Sequence, residues 1–282
     1  MTTAETDIKQ ITTEPGGNFA LLDLAQRDDK SLLSWLYSYF GNTQIEWEPL
    51  YNGSELQEIW NAGPILIALE QQNEFRSAFI ERCEKEPLGI LLNAPGTELA
   101  VLAKHLKSHV TAELDGKSSL FRFYDPRSLG PLLKVLQPNQ SYQLMGASQW
   151  CWCHDGQWWA TTESQSADWP EPEQPLVIGK AQLDALGEAR LAQFAASLAD
   201  YYRPHIPAPD PEQFVLAEIR SADESGVTLL ADQERWVRLA IQAGVSLTES
   251  TNWKHLANDQ GLSPSQILTH LESEQRTVAH VD

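Results

Sequence analysis

Hydrophobic positions along this chain follow two regimes. Up to about residue 161, short apolar runs alternate with stretches at helical spacing; beyond about residue 180 only helical spacing remains. Phe19 to Leu24 is a short apolar strand. Leu32, Leu33, Leu36, Tyr39 and Phe40 mark a helix starting at Asp28 or Asp29 and stopped by Gly41-Asn42. Trp47 to Tyr51 is a second short strand or extended segment. Ser54 with Gln57 resembles a capping box for a helix that reaches Trp60 and ends at Gly63-Pro64. Ile65–Leu69 and Leu88–Leu92 are near-continuous apolar runs, as in strands covered on both faces. Phe75, Phe79 and Ile80 mark one helix, and Leu99, Leu102 and Leu106 the inner face of another over Pro95 to Lys107. Strands follow near Val110–Leu114 and Leu120–Tyr124, joined by an Asp115-Gly116 turn. Tyr142–Met145, Gln149–Cys153 and Gln157–Thr161 then form an antiparallel meander, with His154-Asp155-Gly156 as its last tight turn. The alternation predicts an α/β lobe with a mixed sheet and flanking helices.

The run Arg122-Phe123-Tyr124-Asp125-Pro126-Arg127 reads as a strand that stops at a helix cap. Leu120, Arg122 and Tyr124 point one way, Phe121 and Phe123 the other. Asp125 is placed as the N-cap and Pro126 at the first helical position, where its missing N–H costs nothing. Leu129, Leu132, Leu133 and Leu136 are the stripe of the helix that starts there. Asp125 caps, Arg127 pairs with it, and no reaction is required of either. Asp23 sits inside an apolar run, where an unpaired carboxylate would cost several kcal/mol, so it is expected to pair with Arg122 or Arg127.

Composition shifts at residue 163. Glu163 to Pro175 is rich in proline and acidic residues with little periodicity, as in a linker or extended strap. Helices follow over Ala181–Tyr202, Pro211–Ile219, Leu229–Ala243, Trp253–Asn258 and Pro264–Glu274. The predicted division is a flexible tail (1–17), an α/β domain (18–162), a strap (163–179) and a smaller all-helical lobe (180–282).

The order Phe19–Ala25, Pro49-Leu50-Tyr51, Ala62–Ile67, Pro87–Leu92, Leu99–Leu106 and Arg122–Arg127 resembles the bacterial domain of unknown function 4123 family over about residues 18–150. Members of that family are adaptor chaperones that load toxic effectors onto the spike of type VI secretion systems. The resemblance implies a non-enzymatic adaptor whose partners are a secreted effector and the spike protein, acting in the cytoplasm before secretion. It carries over no catalytic residue.

The net charge of −19 argues against a broad nucleic-acid surface and suits a soluble protein whose partner has a basic patch. The polar start has no apolar core of a signal peptide, and no apolar run approaches the roughly 20 residues that span a bilayer. Cys83, Cys151 and Cys153 leave an odd count, which favours a reducing compartment. Cys151-Trp152-Cys153-His154 offers zinc-type ligands at the wrong spacing and without a second cysteine pair, so neither metal nor cofactor is expected. His105 and His109 read as a solvated helix end. Trp150 and Trp152 share a strand face, whereas the adjacent Trp158 and Trp159 point to opposite faces. Packing on the sheet is the first reading; the alternative is an exposed aromatic surface that grips a partner, with Trp169 of the strap covering it. Rival functions are an immunity protein that neutralises a toxin, and an enzyme with an unrecognised site around Arg122, Asp125 and Arg127.

Overall fold

The apolar runs become strands of one large sheet. In chain order the elements are β1 (Ile8–Ile11), β2 (Phe19–Asp23), α1 (Ser31–Phe40), β3 (Trp47–Pro49), a 3-10 segment (Gln57–Ala62), β4 (Pro64–Ala68), α2 (Asn73–Cys83), β5 (Gly89–Asn93), α3 (Leu99–Lys107), β6 (Thr111–Leu114), β7 (Lys117–Leu120), α4 (Pro126–Val135), α5 (Pro138–Met145), β8 (Gln149–His154), β9 (Gln157–Thr161) and β10 (Val177–Ile178). Helices α6 (Lys180–Tyr202), α7 (Pro211–Glu224), α8 (Leu230–Ala243), α9 (Thr251–Lys254) and α10 (Pro264–Val278) follow. This computed structural model describes residues 7–27, 30–40, 45–70, 72–162, 169–170, 175–256 and 261–278. The chain divides into two units, Met1–Gly187 and Glu188–Asp282, so the division falls inside α6.

The large sheet has the order β1-β9-β8-β5-β2-β4-β3, and every pairing in it is antiparallel. Among the described residues parallel pairing is confined to a small sheet, β10-β6-β7, where β10 runs parallel to β6. β2, β4 and β5 are buried on both faces, which is why their sequences are almost wholly apolar. Successive side chains feed two separate layers. Leu21, Leu66, Ile90 and Leu92 pack with Leu102 and Leu106 of α3 and Leu129 and Leu132 of α4. Leu22, Ile65, Ile67 and Leu91 pack with Leu32 and Leu36 of α1 and Phe75 and Phe79 of α2. Tight turns at Asp115-Gly116 (φ 48° and 75°) and Asp155-Gly156 (φ 49° and 70°) close the two hairpins in the left-handed conformation that Asp-Gly tolerates.

Four local expectations change. The tail predicted over 1–17 contains β1, whose partner β9 lies some 150 residues downstream. Tyr142–Met145 is the end of α5, not a strand. Pro138 opens that helix, Gln137 and Gln140 form a capping box, and Gly146 at φ 57° ends it. The strand predicted through Tyr124 stops at Leu120; Phe121 still donates to Val110 O (2.9 Å), and a turn then carries Phe123 and Tyr124 inward together. Ser54 does not cap a helix reaching Trp60. Its hydroxyl accepts from Leu56 N (3.1 Å), Gln57 Oε1 accepts from Gly53 N, and the following segment is 3-10. The proposed stop at Gly41-Asn42 and start at Asp28 or Asp29 lie outside the described residues. In the segment predicted as a strap, Leu176 and Ile178 are buried in the first layer, and β10 joins the small sheet.

The second unit is helical. Trp236 stacks edge-on against Trp253 at 4.4 Å between centroids, among Leu239, Ala240, Ile267 and Leu268. Glu218 is buried beside them and accepts from Trp236 Nε1 (3.0 Å) and Leu247 N (3.2 Å), so its burial is matched by hydrogen bonds. Arg235 and Arg238 both reach Glu272, joining α8 to α10.

Gly89 sits where β5 meets β2, and a Cβ there would lie 2.0 Å from Leu21 O. Gly89→Ala is expected to lower stability by about 1–3 kcal/mol. Gly187→Ala, inside α6 and facing open space, is expected to raise it by roughly 0.5–1 kcal/mol. Urea midpoints at unchanged slope check both.

Candidate functional site

The site is built where the central strand β2 ends. Asp23 keeps an extended backbone there and caps the 3-10 turn Leu24–Gln26, accepting from Ala25 N (3.1 Å) and Gln26 Nε2 (2.7 Å). It is fully buried, and Arg122 Nη2 reaches its second oxygen at 2.5 Å from the segment after β7. Arg122 itself is partly exposed, so one side of its guanidinium stays in water. The sequence left Arg122 and Arg127 open as partners of Asp23; the geometry selects Arg122.

Arg127 instead grips Asp125 with both arms of its guanidinium, Nε at 2.9 Å and Nη2 at 2.7 Å. Asp125 also accepts from Arg127 N (3.1 Å), as the N-cap of α4, with Pro126 in the first turn. Between the two ion pairs, Tyr124 is buried and its hydroxyl meets that of Tyr51 at 2.9 Å. Sequence reading did not single out Tyr51. It appears there only as the end of a strand and within Pro49-Leu50-Tyr51, and its hydroxyl contact has no local sequence signal; in the structure Gly63 lies so close to the Tyr51 ring that a Cβ would stand 2.3 Å away.

Burial alone would raise the Asp125 carboxyl, but the Arg127 hydrogen bonds and charge outweigh it and hold it below the usual carboxylate range. Burial works against the charged form of Arg122 too, and the neighbouring Asp23 overcomes it, so that arginine is held above its ordinary value. Burial pushes both phenols up; Tyr124 is raised further by Tyr51 and Asp23. At neutral pH the cluster is two carboxylate–guanidinium pairs flanking two protonated phenols. That arrangement fixes strand to helix through directional, charge-assisted bonds.

The tryptophans are core residues. Trp150 and Trp152 enter the layer under α3 and α4, where Trp150 lies 5.7 Å from Phe123 between ring centroids. Trp158 enters the opposite layer, and Trp159 packs partly against the first. The exposed aromatic surface considered for this hairpin is not there, because helices cover both faces of the sheet at β8. Trp169 is half-buried over His105 at 4.8 Å and close against Gly146, and its Nε1 donates to Thr97 Oγ1 (3.3 Å).

His105 and His109 are buried, not solvated as the sequence suggested. Their rings stack edge-on at 4.9 Å, and His105 Nε2 bonds Leu144 O at 2.9 Å. The backbone of Gln143 is near His109, but neither His109 ring nitrogen makes a hydrogen bond of good geometry. Burial lowers both histidines, and the neighbouring His105 adds to the effect on His109, which falls to about 4. Cys151 and Cys153 lie in the second layer with Cys83. All three are reduced and buried, and burial pushes the Cys151 and Cys153 thiols up to about 11. Among the described residues no three His, Cys, Asp or Glu are grouped to hold a metal ion.

Residues 18–143 match the family model described as Domain of unknown function (DUF4123). The match supports that domain family for this segment. Asp23, Tyr51 and the whole Arg122–Arg127 run fall within the DUF4123 segment. No curated protein and no solved structure matches the chain.

Removing Arg122 strands a buried charge, whereas removing Arg127 leaves Asp125 at a helix N-terminus with some access to water. Arg122→Ala is expected to cost about 3–5 kcal/mol, Asp23→Ala somewhat less, and Arg127→Ala about 1 kcal/mol. Denaturant unfolding gives the ranking, and equal losses for the two arginines would contradict it. The histidines yield a pH dependence. Their folded-state values lie below the unfolded value near 6.5, so the unfolded chain binds the proton first. Stability from this pair is complete above pH 6.5 and falls as pH drops toward 4, by about 3 kcal/mol at most from His109. Melting curves from pH 7 to 4 are expected to flatten in His109→Leu.

Proposed function

We propose that the protein is a non-enzymatic adaptor chaperone that binds a type VI secretion effector in the cytoplasm and loads it onto the spike protein. The observation that carries this reading is the match of residues 18–143 to the Domain of unknown function (DUF4123) model, the family that the ordered motifs of the sequence resemble. Two features support it. The arginines and carboxylates of the Arg122–Arg127 junction are engaged with one another, as in a structural clamp. The chain carries a net charge of −19, which suits a carrier of a basic partner. No helix among the described residues is long and apolar enough to cross a membrane.

The buried hairpin changes where the partner is held. Trp150, Trp152 and Trp158 are committed to the core, so the grip has to come from other surfaces of the molecule.

Co-expression of the tagged chain with the product of a neighbouring toxin gene and a neighbouring spike gene tests the proposal. Both are expected to be retained, and deletion of the chain is expected to stop export of that one toxin. Retention of neither would remove the proposal. Death of the producing cell on deletion would point to an immunity protein. Turnover of a small molecule, abolished in Arg127→Ala, would point to an enzyme.

A further inference from the structure

We propose that the cleft between α3 and the β3–β4 side of the large sheet docks a Lys- or Arg-bearing amphipathic segment of a partner protein. The inference rests on the adaptor reading only for the identity of the protein that carries the segment.

The cleft has a volume of about 890 Å³ and lies wholly in the first unit. That is at the upper end of the roughly 300–1,000 Å³ of ligand pockets, and the cleft is open. Its apolar lining comes from Phe19, Ala68, Leu99 and Ala103, at the ends of β2 and β4 and along α3. Lys107 of α3 pairs with Glu48 of β3 across one part of it, which ties the helix to the edge strand and neutralises both charges. The remaining charge is net negative, three carboxylates against one ammonium. Glu46, Glu70 and Glu98 are exposed and make no ion pair among the described residues; Lys104 stands against them. Glu98 occupies the N-cap position of α3 yet its side chain makes no capping bond, so its carboxylate remains open to a partner.

An apolar lining bordered by unpaired carboxylates is the anatomy of a protein interface, with an apolar centre and a polar rim. The rim selects the sign of its occupant. An anionic segment would face three carboxylates against the single ammonium of Lys104, whereas a cationic one replaces the carboxylates' water with ion pairs and is drawn in by the net negative charge. A bare metal ion fits poorly, because among the described residues no three candidate ligands are grouped. A segment with spaced cationic residues and small apolar side chains between them meets both the lining and the rim.

The test uses the full chain and a random-peptide phage library. Peptides enriched on the wild-type chain are synthesised and measured by fluorescence anisotropy. They are expected to be rich in Lys or Arg interspersed with apolar residues, to weaken as salt rises, and to bind the triple variant Glu46→Lys, Glu70→Lys, Glu98→Lys at least about tenfold less tightly. If that variant melts early, the triple Glu→Gln variant is read in its place. No enrichment, enrichment without a cationic bias, or unchanged affinity in the variant would each overturn the inference. Effector pull-downs with the same variants separate it from the adaptor reading. An effector held equally by wild type and variant removes the cleft alone; basic peptides held in the cleft by a chain that retains no effector remove the adaptor reading alone.

Discussion

A carboxylate without access to water stands at the end of the central strand, and much of the first unit is arranged around it. Asp23 cannot be buried there alone, since an isolated charge in a protein interior costs several kcal/mol even after relaxation. Arg122 meets the need from 99 residues away in sequence. That contact draws the segment after β7 onto the end of β2, which sets Asp125 to cap α4 and brings Tyr124 to Tyr51, 73 residues apart in sequence. A buried pair of this kind adds little net stability over a hydrophobic pair, but it is costly to break and satisfied in only one geometry. Its effect is to specify the path of the chain.

The sequence showed this junction in outline because its parts obey local rules. A lone aspartate in an apolar run demands a partner, and Asp-Pro before a leucine stripe is a helix start. The apolar runs of β4 and β5 were legible because a strand covered on both faces has no polar positions. Other parts were hidden for physical reasons. β1 is an edge strand whose partner forms some 150 residues later, so its short Ile8–Ile11 span carries no local signal. Residues 142–145 are too few to show a period, and their state is set upstream by Pro138 and the Gln137 capping box. Alternation gave the faces of Trp150, Trp152, Trp158 and Trp159 correctly, but it could not show that both faces of the sheet are covered. His105 and His109 misled for the same reason: they lie at a helix end that α5 and Trp169 bury.

Structure and proposed role therefore occupy different places. The Arg122–Arg127 junction, the most distinctive run in the chain, is engaged internally; Glu46, Glu70 and Glu98 border an open cleft on the same unit. A carrier needs both a frame that keeps its shape while bound and free, and a surface whose charges await a partner. The first is supplied by directional ion pairs within the junction, the second by carboxylates that make no ion pair among the described residues.

The central structural claim is that Asp23 and Arg122 act as one unit that holds the fold. A double-mutant cycle measures it: unfolding free energies of wild type, Asp23→Ala, Arg122→Ala and the double variant. The account predicts a double variant that loses less than the two single losses combined, with a coupling of about 2 kcal/mol or more. Losses that add would contradict it.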